Sequence, residues 1–385
     1  MRTALLSTLA LVGCLATPLV AQDRADSAAF VIRLGNDTTA IERYVRTPVL
    51  LTAEAVQRSP STQLHRLQLR FTADGRITGG EYEVRVPGAV QPSASRTFQY
   101  PAKAGDSTVV QLTQGGTTRR VALAGGDAIP VIGPFYLPYE LAVQRLVRGT
   151  ASAARIPLLT GTTVGGTDLQ RIGADSIALT NQFNEPMRAH IDAQGRILHL
   201  HTPAYVSVER TRWLDLKRLA ADFAGRDAAG RGLGVLSPRA ASRTRLGEAN
   251  LWLDYSRPGL RGRPLWGALV PFGQVWRLGA NDATHFATDR PLQLGTLALE
   301  PGTYTLFLLP NAADSWTLIV NRRTGMSGLD RDASADIGRV PLTVESLPRP
   351  VEQLTISVLQ GGAGGQPRLE IAWGDRRGFV PIQVR

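Results

Sequence analysis

Leu67-Gln68-Leu69-Arg70-Phe71, then Thr72-Ala73-Asp74-Gly75, then Arg76-Ile77-Thr78: apolar and polar residues alternate on both sides of a four-residue turn that ends in glycine. A period of two puts Leu67, Leu69 and Phe71 on one face of a strand, and glycine supplies the left-handed position that closes a type I turn. The pattern recurs where Met187-Arg188-Ala189-His190-Ile191 runs into Asp192-Ala193-Gln194-Gly195 and returns as Arg196-Ile197-Leu198. A third hairpin is expected at Gly115-Gly116, between Val109-Val110-Gln111-Leu112 and Arg120-Val121-Ala122-Leu123. Short alternating strands broken by Gly, Asp and Pro fill residues 30–208, which predicts an antiparallel meander curling its apolar face around an interior.

Two helices interrupt this rhythm. One is expected over residues 139–147 and another over 212–224, where Trp213, Leu216, Leu219, Ala220 and Phe223 recur at helical spacing and Gly225 is read as the stop. Residues 225–235 are glycine-rich and aperiodic, as a linker is. Beyond them, strands are expected at 249–255, 304–309, 316–321, 354–359, 369–373 and 380–384, and Pro301-Gly302 makes a tight turn. The predicted organisation is mainly β: an N-terminal antiparallel domain over residues 22–224, a linker over 225–235 and a C-terminal β-sandwich over 236–385.

Residues 1–21 read as a signal peptide, with Arg2 as the positive start and an apolar segment at residues 4–12 too short to span a bilayer. Cleavage after Ala21 would release a free periplasmic or secreted protein. The competing reading is the lipobox-like run Leu11-Val12-Gly13-Cys14, which would make a lipoprotein anchored through Cys14, but the residues after Cys14 stay apolar to Val20 where a polar tether is usual. Cys14 is the single cysteine, so cleavage after Ala21 leaves a chain without thiol chemistry, disulfides or cysteine metal ligands. Stability must then come from burial, and 385 residues are enough for two cores.

The formal net charge is +11, and of 43 basic residues only Lys103 and Lys217 are lysines. The arginines are spread evenly without basic runs, so the charge reads as a solvated surface rather than a nucleic-acid footprint.

The most distinctive segment is Leu253-Asp254-Tyr255-Ser256-Arg257-Pro258, followed by Arg261-Gly262-Arg263-Pro264-Leu265-Trp266-Gly267 and by Leu269-Val270-Pro271-Phe272-Gly273-Gln274-Val275-Trp276-Arg277-Leu278-Gly279-Ala280-Asn281. It resembles the signature of an exported bacterial family, domain of unknown function 2911 (DUF2911), and agreement continues through Pro301-Gly302-Thr303-Tyr304-Thr305-Leu306-Phe307, Trp316-Thr317-Leu318-Ile319-Val320-Asn321 and Val380-Pro381-Ile382. The resemblance implies a β-rich extracytoplasmic domain and brings no reaction or catalytic residue with it.

Within this segment Tyr255, Arg257, Arg263, Trp266, Trp276, Arg277 and Asn281 are the candidate ligand-binding residues, the tryptophans as platforms and the arginines as anion holders. The competing reading makes the tryptophans core plugs and pairs the arginines with Asp254, Asp282 or backbone carbonyls. His190, His199 and His201 are close in sequence, but the expected register puts His190 opposite Leu198 and off the face of the other two, with no carboxylate beside them. His285 near Asp282 lacks a serine partner, Glu81 and Glu83 read as a solvated strand face, and Gly361-Gly362-Ala363-Gly364-Gly365 lacks the lysine of a phosphate loop. No cofactor is expected. The preferred function is a non-catalytic periplasmic or envelope protein binding a small ligand or envelope component. The alternatives are an acyl-chain carrier using the concave N-terminal sheet, supported by an apolar lining and a helical lid and opposed by a filled core, and an envelope hydrolase.

Overall fold

The computed structural model describes residues 26–100, 107–114, 117–123, 128–181, 186–361 and 365–385. The expected signal peptide with Cys14, the Gly115-Gly116 turn and residues 362–364 of the glycine run lie outside the described residues.

The N-terminal strands are β1 (Asp26–Leu34), β2 (Asp37–Arg46), β3 (Leu50–Gln57), β4 (Gln63–Phe71), β5 (Ile77–Arg85), β6 (Ala94–Gln99), β7 (Thr108–Gln114), β8 (Thr117–Leu123) and β9 (Ile129–Val131). Helix α1 (Leu137–Arg148) follows, then β10 (Ala153–Thr160), β11 (Thr163–Arg171), β12 (Ser176–Asn181), β13 (Met187–Ile191), β14 (Ile197–His201), β15 (Val206–Thr211) and helix α2 (Leu216–Ala228). They form one 15-stranded sheet ordered β8-β7-β6-β5-β4-β3-β2-β1-β15-β14-β13-β12-β11-β10-β9. The chain starts mid-sheet, meanders out to β8, reappears at the opposite edge as β9, and works back until β15 pairs with β1. Every pairing is antiparallel except β9 with β10.

Alternation lines the inner face as expected: Phe30 and Ile32, Leu51 and Ala53, Leu67 and Leu69, Leu179, Ile197 and Val208 share one core with α1. Helix α1 is buried on all sides, Leu137 through Gln144 and Leu146 included. It is therefore not a lid over the concave sheet but the filling of it. The large hollow against the helix, about 880 Å³, is a polar one at its C-terminal end beside Gln144, Val147 and Arg148. A gap beside α1 lined in part by Phe71, Ile77, Ile129 and Leu141 measures about 10 Å³, at the lower limit for one ordered water. Tight contact of this kind is the filled core that opposes an acyl-chain carrier.

Both look-alike turns form as read, Gly75 at φ +86° and Gly195 at φ +75°, each amide donating to the first turn residue, Thr72 O or Asp192 O, at 2.9 and 3.0 Å. They pinch the same end of α1. A Cβ on Gly75 would stand 3.2 Å from Arg148 Nη1, and one on Gly195 3.1 Å from Val147 Cβ.

Helix α2 packs Leu216, Ala220 and Phe223 on Ile41 and Val56, the outward residues of β2 and β3. Gly225 does not end it. The helix runs on to Ala228 because Asp227 has a use within the fold, its carboxylate accepting Thr62 N–H and Thr62 Oγ1–H, each at 2.6 Å. Tertiary bonding outweighs the propensity cost of one glycine, about 1 kcal/mol.

The C-terminal sheet contains β16 (Arg239–Leu246), β17 (Ala249–Ser256), β18 (Thr284–Thr288), β19 (Leu292–Leu294), β20 (Leu297–Leu299), β21 (Gly302–Ala312), β22 (Ser315–Asn321), β23 (Asp336–Leu359) and β24 (Arg368–Val384), in the order β16-β17-β18-β21-β22-β23-β24-β19-β20. β23 and β24 absorb strands expected as separate pieces: 369–373 and 380–384 are one bent strand, turning at Gly374 with φ +60°. The start of β23 pairs with β22, while its end folds over β17, where Ile356 N–H donates to Tyr255 Oη at 2.9 Å. Two layers thus close on Leu251, Leu253, Phe286, Leu306, Trp316, Ile356 and Trp373.

Candidate functional site

Tyr255 lies near the end of β17, and between β17 and β18 the chain makes the long excursion that carries the other six candidate residues. It is held as a substitute strand: β18 pairs with β21 as far as Thr284 opposite Leu306, and Trp276 continues the ladder by exchanging backbone bonds with Leu308 at 2.7 and 2.9 Å. This places Trp276 and Arg277 beside β21 and its buried Phe307.

A cleft of about 470 Å³ opens there. Trp276 contributes aromatic surface, with Phe307 and Trp373 buried behind the wall at 1% exposure, Leu269, Val275 and Leu329 aliphatic surface, and Arg263, Arg277 and Arg331 the charge. Leu34 and Ala204 of the N-terminal sheet complete the lining, so the cleft lies on the seam between the two sheets. The seam is pinned by Asn36 N–H to Arg261 O at 2.8 Å, by the Arg261–Asp37 ion pair at 2.5 Å and by Arg263 Nη1–H to Ala204 O at 3.0 Å.

Of the candidate residues, Arg263, Trp276, Arg277 and Asn281 line this cleft and Tyr255, Arg257 and Trp266 do not. Tyr255 is a core residue bonded to β23. Arg257 braces the same strand through Leu354 O and Thr355 Oγ1, both at 3.2 Å. Trp266 packs on Trp316 with ring centres 4.3 Å apart. Arg263 is largely a brace too, donating to Leu260 O, Gly259 O and Ala204 O. Asn281 is exposed at φ +60°, its carbonyl accepting Gly328 N–H. The expected arginine partners Asp254 and Asp282 do not hold the candidates: Asp254 takes Arg239 instead, which keeps its carboxyl below the ordinary range.

Sequence reasoning missed Phe307, Arg331 and Trp373 as cleft residues. They come from β21, the segment before β23, and β24 respectively, and no local pattern marks convergence over such separations. Arg331 pairs with Asp336 and lies over Phe307, its carbon 5.7 Å from the ring centre.

The histidines need a correction. A bulge between His190 and Ile191 sets His190 opposite His199 rather than Leu198, so all three lie on one outer face. His190 is 3.3 Å from Asp175, and the His199 and His201 rings are 5.5 Å apart, yet among the described residues no three metal-binding side chains converge. Glu81 and Glu83 pair with Arg70 and Arg85 on the outer face of the meander. His285 sits in a shallow hollow with Trp252 and Asp254, its pKa lowered by burial first and by Arg239 next.

A second polar cluster lies inside the N-terminal sheet. Glu140 of α1 accepts Tyr44 Oη–H at 2.5 Å, Ile197 N–H at 2.7 Å and Arg210 Nη1–H at 2.7 Å. Glu42 accepts Tyr136 N–H and Leu137 N–H at the start of α1, and burial pushes its pKa up to about 8. These groups converge, but Glu140 and Glu42 are each occupied in fixing α1, and the hollow of about 880 Å³ at the end of the helix is lined by neighbouring Asp26 and Arg46 rather than by either of them.

Residues 237–382, which supply all of the cleft lining except Leu34, Ala204 and Leu236, match the family model described as a protein of unknown function (DUF2911). A solved structure of a DUF1089 family protein from Pseudomonas aeruginosa is similar at 16% identity, over 42% of this chain and 89% of that one, with a TM-score of 0.32. So slight a likeness bears on neither fold nor function. No curated protein matches the chain.

Proposed function

We propose that this is an exported, non-catalytic protein of the periplasm or cell envelope that binds a small ligand in the seam cleft. The observation that carries the reading is Arg277, whose terminal guanidinium nitrogens meet no protein acceptor among the described residues while its side chain lines an aromatic cleft. An arginine held beside tryptophan without a partner is what a ligand site provides and a loop brace does not. The cleft lining contains no histidine and no carboxylate, so no general acid or base of the usual kind stands at the ligand. Export is supported by the charged start, short apolar segment and small Ala21 of the leader. An acyl-chain carrier finds less support, because α1 occupies the concave face where the chain would lie.

Native mass spectrometry of protein taken from its own envelope fraction tests the reading. A co-purifying small molecule that is lost from Trp276→Leu, with the variant still folded and melting cooperatively, is the expected result. Protein that runs alone, or a ligand retained by the variant, would overturn it. Intact mass of the same material tests the leader: cleavage before Gln22 is expected, and an acylated Cys14 would move the protein to the membrane.

A further inference from the structure

We infer that the seam cleft is selective for an anion on a flat ring, a carboxylate or phosphate monoester attached to an aromatic system, with the acid on Arg277 and the ring against Trp276. The inference rests on the seam-cleft reading and specifies its ligand.

Three arginines line the cleft, and their partners separate them. Arg263 gives Nε–H to Leu260 O at 2.9 Å, Nη2–H to Gly259 O at 2.6 Å and Nη1–H to Ala204 O at 3.0 Å. Arg331 is neutralised by the Asp336 carboxylate. Arg277 has one bond, Nε–H to Gly279 O at 3.4 Å, which is near the limit for such contacts. Its stem is nevertheless fixed: a Cβ on Gly328 would come within 2.9 Å of Arg277 Cδ and 3.1 Å of Arg277 Cβ, so the chain passes there at glycine distance. The forked end of Arg277 is thereby positioned ahead of any ligand, which lowers the ordering cost of binding.

The lining charges favour one sign. No carboxylate lines the cleft, so nothing in its wall competes for Arg277 or repels an incoming anion. A planar two-oxygen acid matches the geometry of a guanidinium fork. The remaining surface is aromatic and aliphatic. Trp276 is backed by buried Trp373 at 5.4 Å and 17°, so the indole is stiffened by a second ring, and Leu269, Val275 and the exposed Leu329 border it as an open apolar rim. A volume of about 470 Å³ admits a ring system with one acid group.

The test uses the full mature chain and three probes: 1-naphthyl phosphate, 1-naphthol and inorganic phosphate, titrated by calorimetry and by tryptophan fluorescence. Naphthyl phosphate should bind at least roughly 10-fold more tightly than either fragment, and Arg277→Ala should weaken it by roughly 10- to 100-fold, the range for hydrogen bonds to charged groups. Arg277→Ala should leave naphthol binding unchanged, and Arg277→Lys should recover only part of the loss, because ammonium keeps the charge without the fork. Naphthol binding as tightly as its phosphate, with both lost in Trp276→Leu, would overturn the anion assignment and leave the cleft standing as a neutral site. Inorganic phosphate binding as tightly as naphthyl phosphate would overturn the role of the ring. No response to any probe from folded protein would overturn both the inference and the seam-cleft reading. The comparison among probes needs only the unmodified protein, so it decides even if an Arg277 variant does not fold.

Discussion

Replacing Glu42 by Gln should change how the stability of the N-terminal domain depends on pH. The Glu42 carboxyl is buried, 1% exposed, and accepts Tyr136 N–H at 2.7 Å and Leu137 N–H at 3.0 Å. Desolvation outweighs those bonds and raises its pKa from 4.5 to about 8. Between these values the folded chain holds a proton that the unfolded chain has released, so stability falls as pH rises, by about 1.4 kcal/mol per pH unit. Buried His65 acts in the opposite sense: its pKa is lowered to about 4, so its contribution grows as pH rises from 4 to 6.5. The two slopes offset one another from about pH 4.5 to 6.5, leaving a net loss of about 2 kcal/mol from pH 6.5 to 8. Glu140, also raised by burial, adds to the loss. In Glu42→Gln the amide NH₂ faces one of the two helix N–H groups, so the variant should be about 1–3 kcal/mol less stable at pH 5. By pH 9 the wild type has lost about 4 kcal/mol that the variant keeps, and the order should reverse. Hydrogen exchange of the α1 amides in urea, at each pH from 5 to 9, reads this domain separately from the tryptophan-rich C-terminal one. A gap between the proteins that stays constant across that range would refute the reasoning, because it would mean that Glu42 titrates at its ordinary pKa.

Three further outcomes follow from the packing. Asp37→Ala strips the carboxylate from Arg261, whose side chain is 11% exposed, and should lower stability by about 1–3 kcal/mol and split calorimetric melting into two transitions; a single unshifted transition would show that the seam does not depend on this pair. Gly295→Ala must hold φ +57° with a Cβ 2.7 Å from Val380 Cγ2 and 2.8 Å from Val340 Cγ1, so a loss of about 2 kcal/mol or more is expected in urea melts, and an unchanged midpoint would contradict the turn geometry. Trp316→Ala, at 1% exposure, should cost about 3–5 kcal/mol, whereas Trp252→Ala, at 37%, should cost about 1 kcal/mol or less; similar losses at the two positions would refute the assigned core.

The match of the chain to its pattern was closest where the physics is local. Thr72-Ala73-Asp74-Gly75 and Asp192-Ala193-Gln194-Gly195 each encode a turn in four residues, and glycine takes the left-handed position in both. Two-residue alternation chose the inner face of β4 correctly because Leu67, Leu69 and Phe71 can be buried together only on one side. Where a bulge intervenes, as at His190, alternation alone assigns the wrong partner. Propensity misjudged Gly225 for the same reason: the bond from Asp227 to Thr62 spans 165 residues and has no local trace. The site was half legible. A segment rich in Trp, Arg and Gly pointed to the right loop, yet the choice between ligand holder and brace depends on which carbonyls each arginine meets. Arg263 meets three, Arg257 meets one together with the Thr355 hydroxyl, and Arg277 meets one at long range and, among the described residues, nothing else.

Strand rhythm and turn chemistry are written locally, and they were enough for a mainly β chain; the resemblance of the C-terminal part to DUF2911 rested separately on the order of residues in 253–281 and the stretches downstream. Only the tertiary structure decided that β15 closes against β1, that α1 fills the concave sheet, and that Leu34 and Ala204 meet Trp276 and Arg277 across a seam. Those outcomes depend on contacts between residues far apart in the chain, where the gain from burial and the penalty for an unpaired charge are settled by neighbours that no local pattern names.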